Sequence, residues 1–212
     1  MFAVIFEVRI RPGLWDDYLA QAGLLRPELL KIDGFVDNVR YRSLTRDGLL
    51  LSLSSWRDEK SLIRWRTQAT HHDAQEKGRT EVFADYHLRI GQITADSRLP
   101  DGHALREQRL DETETGAART VTLIDAPSGR MPTPDIADGA PGLVARDIFD
   151  AVLTPGDGLL LLSWQDDAAA AAFAQGRTLP DGVRNRRVRV IRDYGMFDRR
   201  EAPQYYPEVV RL

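Results

Sequence analysis

Residues 53–61 read LSSWRDEKS, and residues 161–169 read LLSWQDDAA. The match sets Trp56 against Trp164 and, further along, Trp65 against Phe173. Working outward, RTVTLIDA (119–126) resembles the opening strand, and GLVARDIFDAV (142–152) with GDGLLLLSWQDDAAAAAFA (156–174) resembles a hairpin and helix of the first half. HLRI (87–90) is set against RVRV (187–190). The chain therefore carries one supersecondary unit twice, and a repeated unit that cannot bury its own apolar face stacks on its copy.

The first copy is the clearer one. Phe2, Val4, Phe6, Val8 and Ile10 alternate with polar or smaller residues and share one face of a strand, which Pro12-Gly13 ends. From Trp15 to Ile32, Tyr18, Ala22, Leu25 and Leu29 recur at helical spacing, with Asp16 and Asp17 at the positive end of the helix dipole and Gly34 beyond the stop. Pro27 is expected to kink this helix, because it has no N–H for the Gly23 carbonyl. FVDNVRYRSL and GLLLSLSSW flank the turn TRDG as a hairpin, RDEKSLIRWR opens a second helix, and VFADYHLRIGQI is a fourth strand. The order β-α-β-β-α-β is the ferredoxin-like plan, with two helices on one face of an antiparallel sheet.

The second copy is shorter. PSGRMPTPDIADGAPG (127–142) stands where the first has its long helix, and its Pro and Gly content forbids a comparable one. Four segments follow: a ferredoxin-like unit at 1–96, a polar connector at 97–118 with a short helix expected at GHALREQRL, a degenerate ferredoxin-like unit at 119–194, and a C-terminal arm at 195–212. The expected fold class is α+β, with two ferredoxin-like βαββαβ units per chain packed sheet to sheet as a dimeric α+β barrel. The arm, rich in aromatic and charged residues, is expected to wrap a neighbouring subunit, supporting a homodimer, or to cover a sheet edge.

Composition narrows the function. The chain of 212 residues is 42% hydrophobic, enough for a real core, and its formal charge of -3 is spread without a basic stripe, so no nucleic-acid partner is expected. It has no cysteine, which removes thiolate nucleophiles, thiolate metal sites and iron–sulfur ligation together. The charged, alternating N-terminus is not the apolar core of a secretion signal, and no run approaches the roughly 20 apolar residues of a membrane span. A cytoplasmic protein with a small-molecule partner and no membrane partner is expected.

FAVIFEVRIRPG, SLSSWRDEKSLIRWR, HHDAQEKGR and FADYHLRIGQI, over residues 1–95, resemble the antibiotic biosynthesis monooxygenase-type family of dimeric α+β barrels, and VIRDYGMFDRREAPQ resembles the end of its single-domain members. The resemblance implies a cofactor-independent monooxygenase acting on a small aromatic or polyketide-like substrate in a barrel cavity. The family also includes heme-binding and heme-degrading proteins, and a non-catalytic binding or scaffolding barrel is a third reading. In the oxygenases a tryptophan at the position of Trp65 borders the substrate cavity. In the heme-degrading relatives the iron-ligating histidine falls ten residues after the tryptophan, where this chain has Gln75, and their first-strand asparagine falls at or next to Glu7.

The candidate catalytic residues are thus His72, His71 and Trp65. If one helix ran from Asp58 through Gln75, then Leu62, Trp65, Ala69 and His72 would share a face and His71 would point aside; if Thr70 capped a new helix with Asp73, both histidines would be placed differently. A neutral imidazole near pH 7 can accept or return the proton that oxidation of a phenol requires. Trp65, Arg66, Arg79 and Tyr86 are the candidate substrate-binding residues, arginine offering a planar donor fork to an anion. No metal and no cofactor are expected, since adjacent histidines lack the i,i+3 or i,i+4 spacing of a helical chelate. The second copy has no equivalent of either histidine, so any proton-transfer site should exist once per chain.

Overall fold

The computed structural model describes residues 1–106, 115–130, 133 and 137–211. Its first half consists of β1 (Phe2–Ile10), α1 (Trp15–Leu30), β2 (Phe35–Ser43), β3 (Leu49–Trp56), α2 (Glu59–Arg66), α3 (Ala69–Lys77), a π-helical turn (Gly78–Val82) and β4 (Phe83–Asp96). The second half has β5 (Thr120–Ala126), β6 (Leu143–Ala151), β7 (Gly158–Trp164), α4 (Asp167–Ala174) and β8 (Arg184–Gly195). All strand pairs are antiparallel, and the eight strands close in the order β1-β3-β2-β6-β7-β5-β8-β4. Two α+β sheets of ferredoxin-like order thus join edge to edge into one barrel. The seam between β4 and β8 is long, from His87↔Gly195 to Asp96↔Arg186, and the seam between β2 and β6 has three pairs, Tyr41↔Ala151 to Ser43↔Phe149.

Strand alternation assigns the two faces. Ala3, Ile5, Leu51 and Leu53 of the first sheet meet Val121, Leu123, Leu161 and Val188 of the second in one buried cluster, the barrel interior. Phe2, Val4, Phe6 and Val8 point the other way, toward α1–α3. The two ends of the interior hold matching ion pairs. Arg89 donates to Glu7 (2.7 Å) and Ser163 (2.8 Å), and Arg186 donates to Asp125 (2.7 Å) and Ser55 (3.0 Å). Strand register makes these the same positions in the two copies, since Gln92 faces Phe2 as Arg189 faces Thr120. The last strands therefore align three residues away from the HLRI–RVRV match. Burial alone would raise the Glu7 pKa, but Arg89 and Arg46 hold it below the usual carboxylate value.

The helices differ from the sequence expectation in two places. α1 continues past Pro27 and ends at Leu30, two residues before Ile32. Of the two arrangements the sequence left open for residues 58–75, one continuous helix or a new helix starting near Thr70, the structure has the second, two helices. Asp58 caps α2 by accepting from the Ser61 N–H (2.8 Å), and Gln68, not Thr70, caps α3 by accepting from the His71 N–H (2.7 Å). Gln68 escaped the sequence reading because glutamine is outside the residues preferred at N-caps. In the second half α4 is capped by Asp166, the counterpart of Asp58. No counterpart of α1 occurs there among the described residues; positions 131–132 and 134–136 lie outside them. Residues 103–106 of the connector are non-helical, and the remainder of the short helix expected there, 107–110, also lies outside the described residues.

The C-terminal arm folds back on its own chain. Closure of the barrel leaves it no free sheet edge to cover, and it lies instead against the helices, where Gln204 Nε2 donates to the Arg66 carbonyl (3.4 Å) and Arg79 to the Pro207 carbonyl (3.3 Å). No helix among the described residues is long and apolar enough to cross a membrane.

Candidate active site

Where α1, α2 and α3 cross the outer face of the first sheet they leave a cavity of about 220 Å³. It is not the barrel interior, whose centre is a buried apolar cluster and which opens at its Glu7–Arg89 end into a separate cavity; the cavity at Trp65, expected inside the barrel, lies between sheet and helices. The reason is geometric. Inward residues of two facing sheets interdigitate at close range, whereas the broken α2–α3 segment cannot lie flush on its sheet.

Trp65 and His71 form one wall. The break at Thr67–Gln68 turns the chain so that the His71 ring stacks on the Trp65 indole, centroids 4.1 Å apart and planes 14° apart. His71 Nδ1 lies 2.9 Å from the Trp65 carbonyl oxygen, which can only accept, so the network assigns the ring proton to Nδ1 and leaves Nε2 as the acceptor. The Gln75 amide nitrogen, 3.0 Å from Nδ1, donates to the Arg66 carbonyl at 3.3 Å. Burial lowers the His71 pKa to about 4, against which the Trp65 carbonyl works, so the imidazole is neutral at pH 7.

His72 is placed elsewhere. It is exposed, does not line the cavity, and stacks on Tyr206 at 5.3 Å with its Nδ1 3.2 Å from the Tyr206 hydroxyl. The face shared by Trp65 and His72 on one continuous helix does not exist, because the helix is interrupted between them. His71, not His72, is brought to Trp65. Gln75, at the position of the heme ligand in the relatives, lines the cavity with its Oε1 accepting from the Tyr206 hydroxyl.

Arg79, Tyr86 and Arg66 gather at one end. The π-helical turn delivers Arg79, 3% exposed, to the cavity; such turns inside helical segments are frequent at functional sites. Gly78 opens that turn because a Cβ there would overlap the Phe83 ring. Arg79 and Arg199 each donate to the Tyr86 hydroxyl oxygen, both at 2.7 Å, which occupies its lone pairs and leaves its O–H proton to donate. Both guanidinium groups also lie 5.3 Å from the centre of the Tyr206 ring. Burial raises the Tyr194 pKa to about 12 and that of Tyr206 in the same direction, so these rings stay uncharged phenols. Arg66 also lines the cavity, with a buried Nε that has no hydrogen-bond partner among the described residues. None of Arg66, Arg79 and Arg199 pairs with a carboxylate among the described residues.

Arg199, Tyr194, Gln204 and Tyr206 were missing from the sequence-derived site. They come from β8 and the arm, more than a hundred residues from Trp65, and no local pattern links them to it. Arg40, Ser52 and Ser54 were missed as well, although the repeat held a signal: Ser52 and Ser54 stand where the second copy has Leu160 and Leu162. Among the described residues no three His, Asp or Glu side chains converge as a metal ligand set.

Comparison with known proteins agrees with this architecture. Residues 1–77 match the model of the family described as antibiotic biosynthesis monooxygenase. A protein of Pyricularia oryzae (strain 70-15), named jasmonate monooxygenase ABM, is 50% identical over 220 residues, covering 98% of this chain and 99% of its own length. Among solved structures, an aldoxime dehydratase in complex with butyraldoxime superposes with a TM-score of 0.57 at 10% identity, over 90% of this chain and 79% of that one, which is a likeness of fold alone. A protein of Lactobacillus acidophilus NCFM described as a putative monooxygenase aligns over 91% of this chain and 94% of its own at 8% identity, with a TM-score of 0.42. With its two α+β sheets closed into one barrel and a full-length relative at half identity, the chain belongs to the antibiotic biosynthesis monooxygenase family.

Proposed function

We propose that this protein is a cofactor-independent monooxygenase for a small, largely apolar carboxylate, bound in the cavity between the first sheet and its helices. The observation that carries the reading is the set Arg66, Arg79 and Arg199, three guanidinium groups at one end of an apolar cavity with no carboxylate partner among the described residues. Buried cations are ordinarily paired, and a set left without counter-charge fits an anion that arrives with the substrate. The name of the Pyricularia oryzae relative, jasmonate monooxygenase ABM, favours a jasmonate-like carboxylate over the aromatic substrate that the resemblance first implied.

The residues divide the work as follows. The arginines hold the carboxylate, with the Tyr86 O–H as an additional donor. Val4, Phe6, Leu88 and the Trp65 face exclude water along the substrate body, which strengthens each polar contact. Neutral His71, with Nε2 as acceptor, takes a proton from an activated carbon of the substrate. The resulting carbanion reduces oxygen directly. Conversion of a methylene to a carbonyl, CH2 + O2 → C=O + H2O, balances with no outside reductant, so proton removal and orientation are all that the protein must supply.

The test is oxygen uptake with jasmonate and related keto acids, with and without added NADH, for wild type, His71→Gln and His72→Ala. Turnover without reductant, lost in H71Q and kept in H72A, is the expected result. Turnover that needs NADH refutes cofactor independence, and equal rates for wild type and H71Q remove His71 from the reaction. Gln75 stands where the heme-degrading relatives have their iron-ligating histidine, so absence of a Soret band on hemin titration is also expected.

A further inference from the structure

The two halves of the barrel provide an internal comparison at the floor of the cavity. On the helix-facing side of the first sheet, Arg40 is paired across strands with Ser52, and Asn38 with Ser54. The same positions of the second sheet pair Ile148 with Leu160 and Arg146 with Leu162. There Leu160 and Leu162 are fully buried with Trp164 and Phe173 in one apolar cluster, as a sheet under a helix ordinarily is. The first half thus has Arg, Ser and Ser where its copy has Ile, Leu and Leu.

Packing does not account for the exchange. Arg40 makes no side-chain hydrogen bond or ion pair among the described residues, although its Nε is shut off from solvent. Ser52 Oγ accepts from Asn38 Nδ2 (3.0 Å) and Ser54 Oγ accepts from Trp56 Nε1 (2.9 Å). Both hydroxyls therefore keep their own proton to donate, and neither has an acceptor among the described residues. Arg40, Ser52 and Ser54 line the cavity together, so three donors share one wall with no acceptor among the described residues. Such groups cost free energy unless an acceptor enters the site.

We infer that Arg40, Ser52 and Ser54 form a second anchor that receives a carbonyl oxygen of the substrate, making the substrate class an oxo-carboxylate. The inference rests on the carboxylate reading above: the carboxylate is held by Arg66, Arg79 and Arg199, and the ketone by the sheet floor. A ketone matches the floor better than a second carboxylate, because the floor offers one cation and two neutral hydroxyls on a wall that also has Val4, Trp56 and Leu62, in contrast to the three cations Arg66, Arg79 and Arg199. A ketone held by a guanidinium is also polarised, which acidifies the adjacent C–H.

The experiment is calorimetric titration of the full chain with two probes, jasmonate and its deoxy analogue bearing a methylene in place of the ring ketone. Wild type should bind jasmonate about 10- to 100-fold more tightly, the range for a hydrogen bond to a charged donor. Arg40→Met should abolish this preference while retaining affinity for the deoxy probe, and Ser52→Ala with Ser54→Ala should reduce it, giving a second route if R40M does not fold. Arg66→Met should weaken both probes alike. Equal affinity of wild type for the two probes, or equal weakening of both by R40M, overturns the ketone anchor. An R66M protein that binds both probes as wild type does overturns the carboxylate reading, while the R40M arm still reports on the floor. Binding of neither probe by wild type overturns both.

Discussion

Acidification should destabilise this protein through His71, and substitution of that residue should remove the effect. Burial against Trp65 sets the folded pKa at about 4, compared with 6.5 for an ordinary imidazole. Between those values the unfolded chain binds a proton at this site that the native chain does not, so stability rises with pH across the window. The contribution is fully present above pH 6.5 and is lost as pH falls toward 4. Each pKa unit corresponds to about 1.4 kcal/mol, so the loss should reach roughly 2 kcal/mol by pH 4.5 and level off below pH 4. The assay is urea denaturation of wild type and His71→Gln at pH 7 and pH 4.5; glutamine can still donate to the Trp65 carbonyl. Carboxylates titrate in both proteins and cancel in the comparison. Wild type should lose roughly 2 kcal/mol more than H71Q over this interval. Parallel pH dependence in the two would refute the placement of a neutral imidazole in the wall, and with it the role of His71 as acceptor.

Two further outcomes concern the barrel. Glu7→Gln should cost about 3–5 kcal/mol, because it leaves the buried Arg89 without its counter-charge, whereas Asp125→Asn in the matching network should cost about 1–2 kcal/mol. The Asp125 side chain is 24% exposed and that of Glu7 7%, so water can replace the lost charge only at Asp125; urea midpoints with unchanged slopes check both. Gly91→Ala should destabilise by about 1–3 kcal/mol, since a Cβ there would run into Val188 and come within 2.5 Å of the Arg189 carbonyl oxygen across the β4–β8 seam. Hydrogen exchange that speeds up in β4 and β8 ahead of the other strands would locate the damage there, and an unchanged melting temperature would contradict it.

Several features were legible in the sequence for physical reasons that are local. Alternation in FAVIFEVRI reports which side chains share a face of β1, and that relation needs no distant residue. The helical spacing from Trp15 to Ile32 predicted α1, which ends at Leu30, and the repeat of LSSWRDEKS predicted two sheets that would cover each other's open face, the closed barrel now observed. The break between α2 and α3 was legible only as one of two alternatives, with its cap placed at Thr70. It depends on one side-chain cap at Gln68, and it exchanged the two adjacent histidines: His71 went to Trp65 and His72 to the arm.

By itself, then, the sequence determined the α+β fold class and the duplicated β-α-β-β-α-β plan, and it named Trp65, Arg66, Arg79 and Tyr86 as candidate substrate-binding residues, all four of which line the cavity. Tertiary structure alone decided that the cavity lies outside the barrel, that one neighbouring histidine reaches it, and that Arg199 and Tyr206 of the second half complete a site in the first. Periodicity records which neighbours along the chain share a face. The closing contacts, such as Arg79 with Pro207, join positions 128 residues apart, and only the closure of the barrel brings them together.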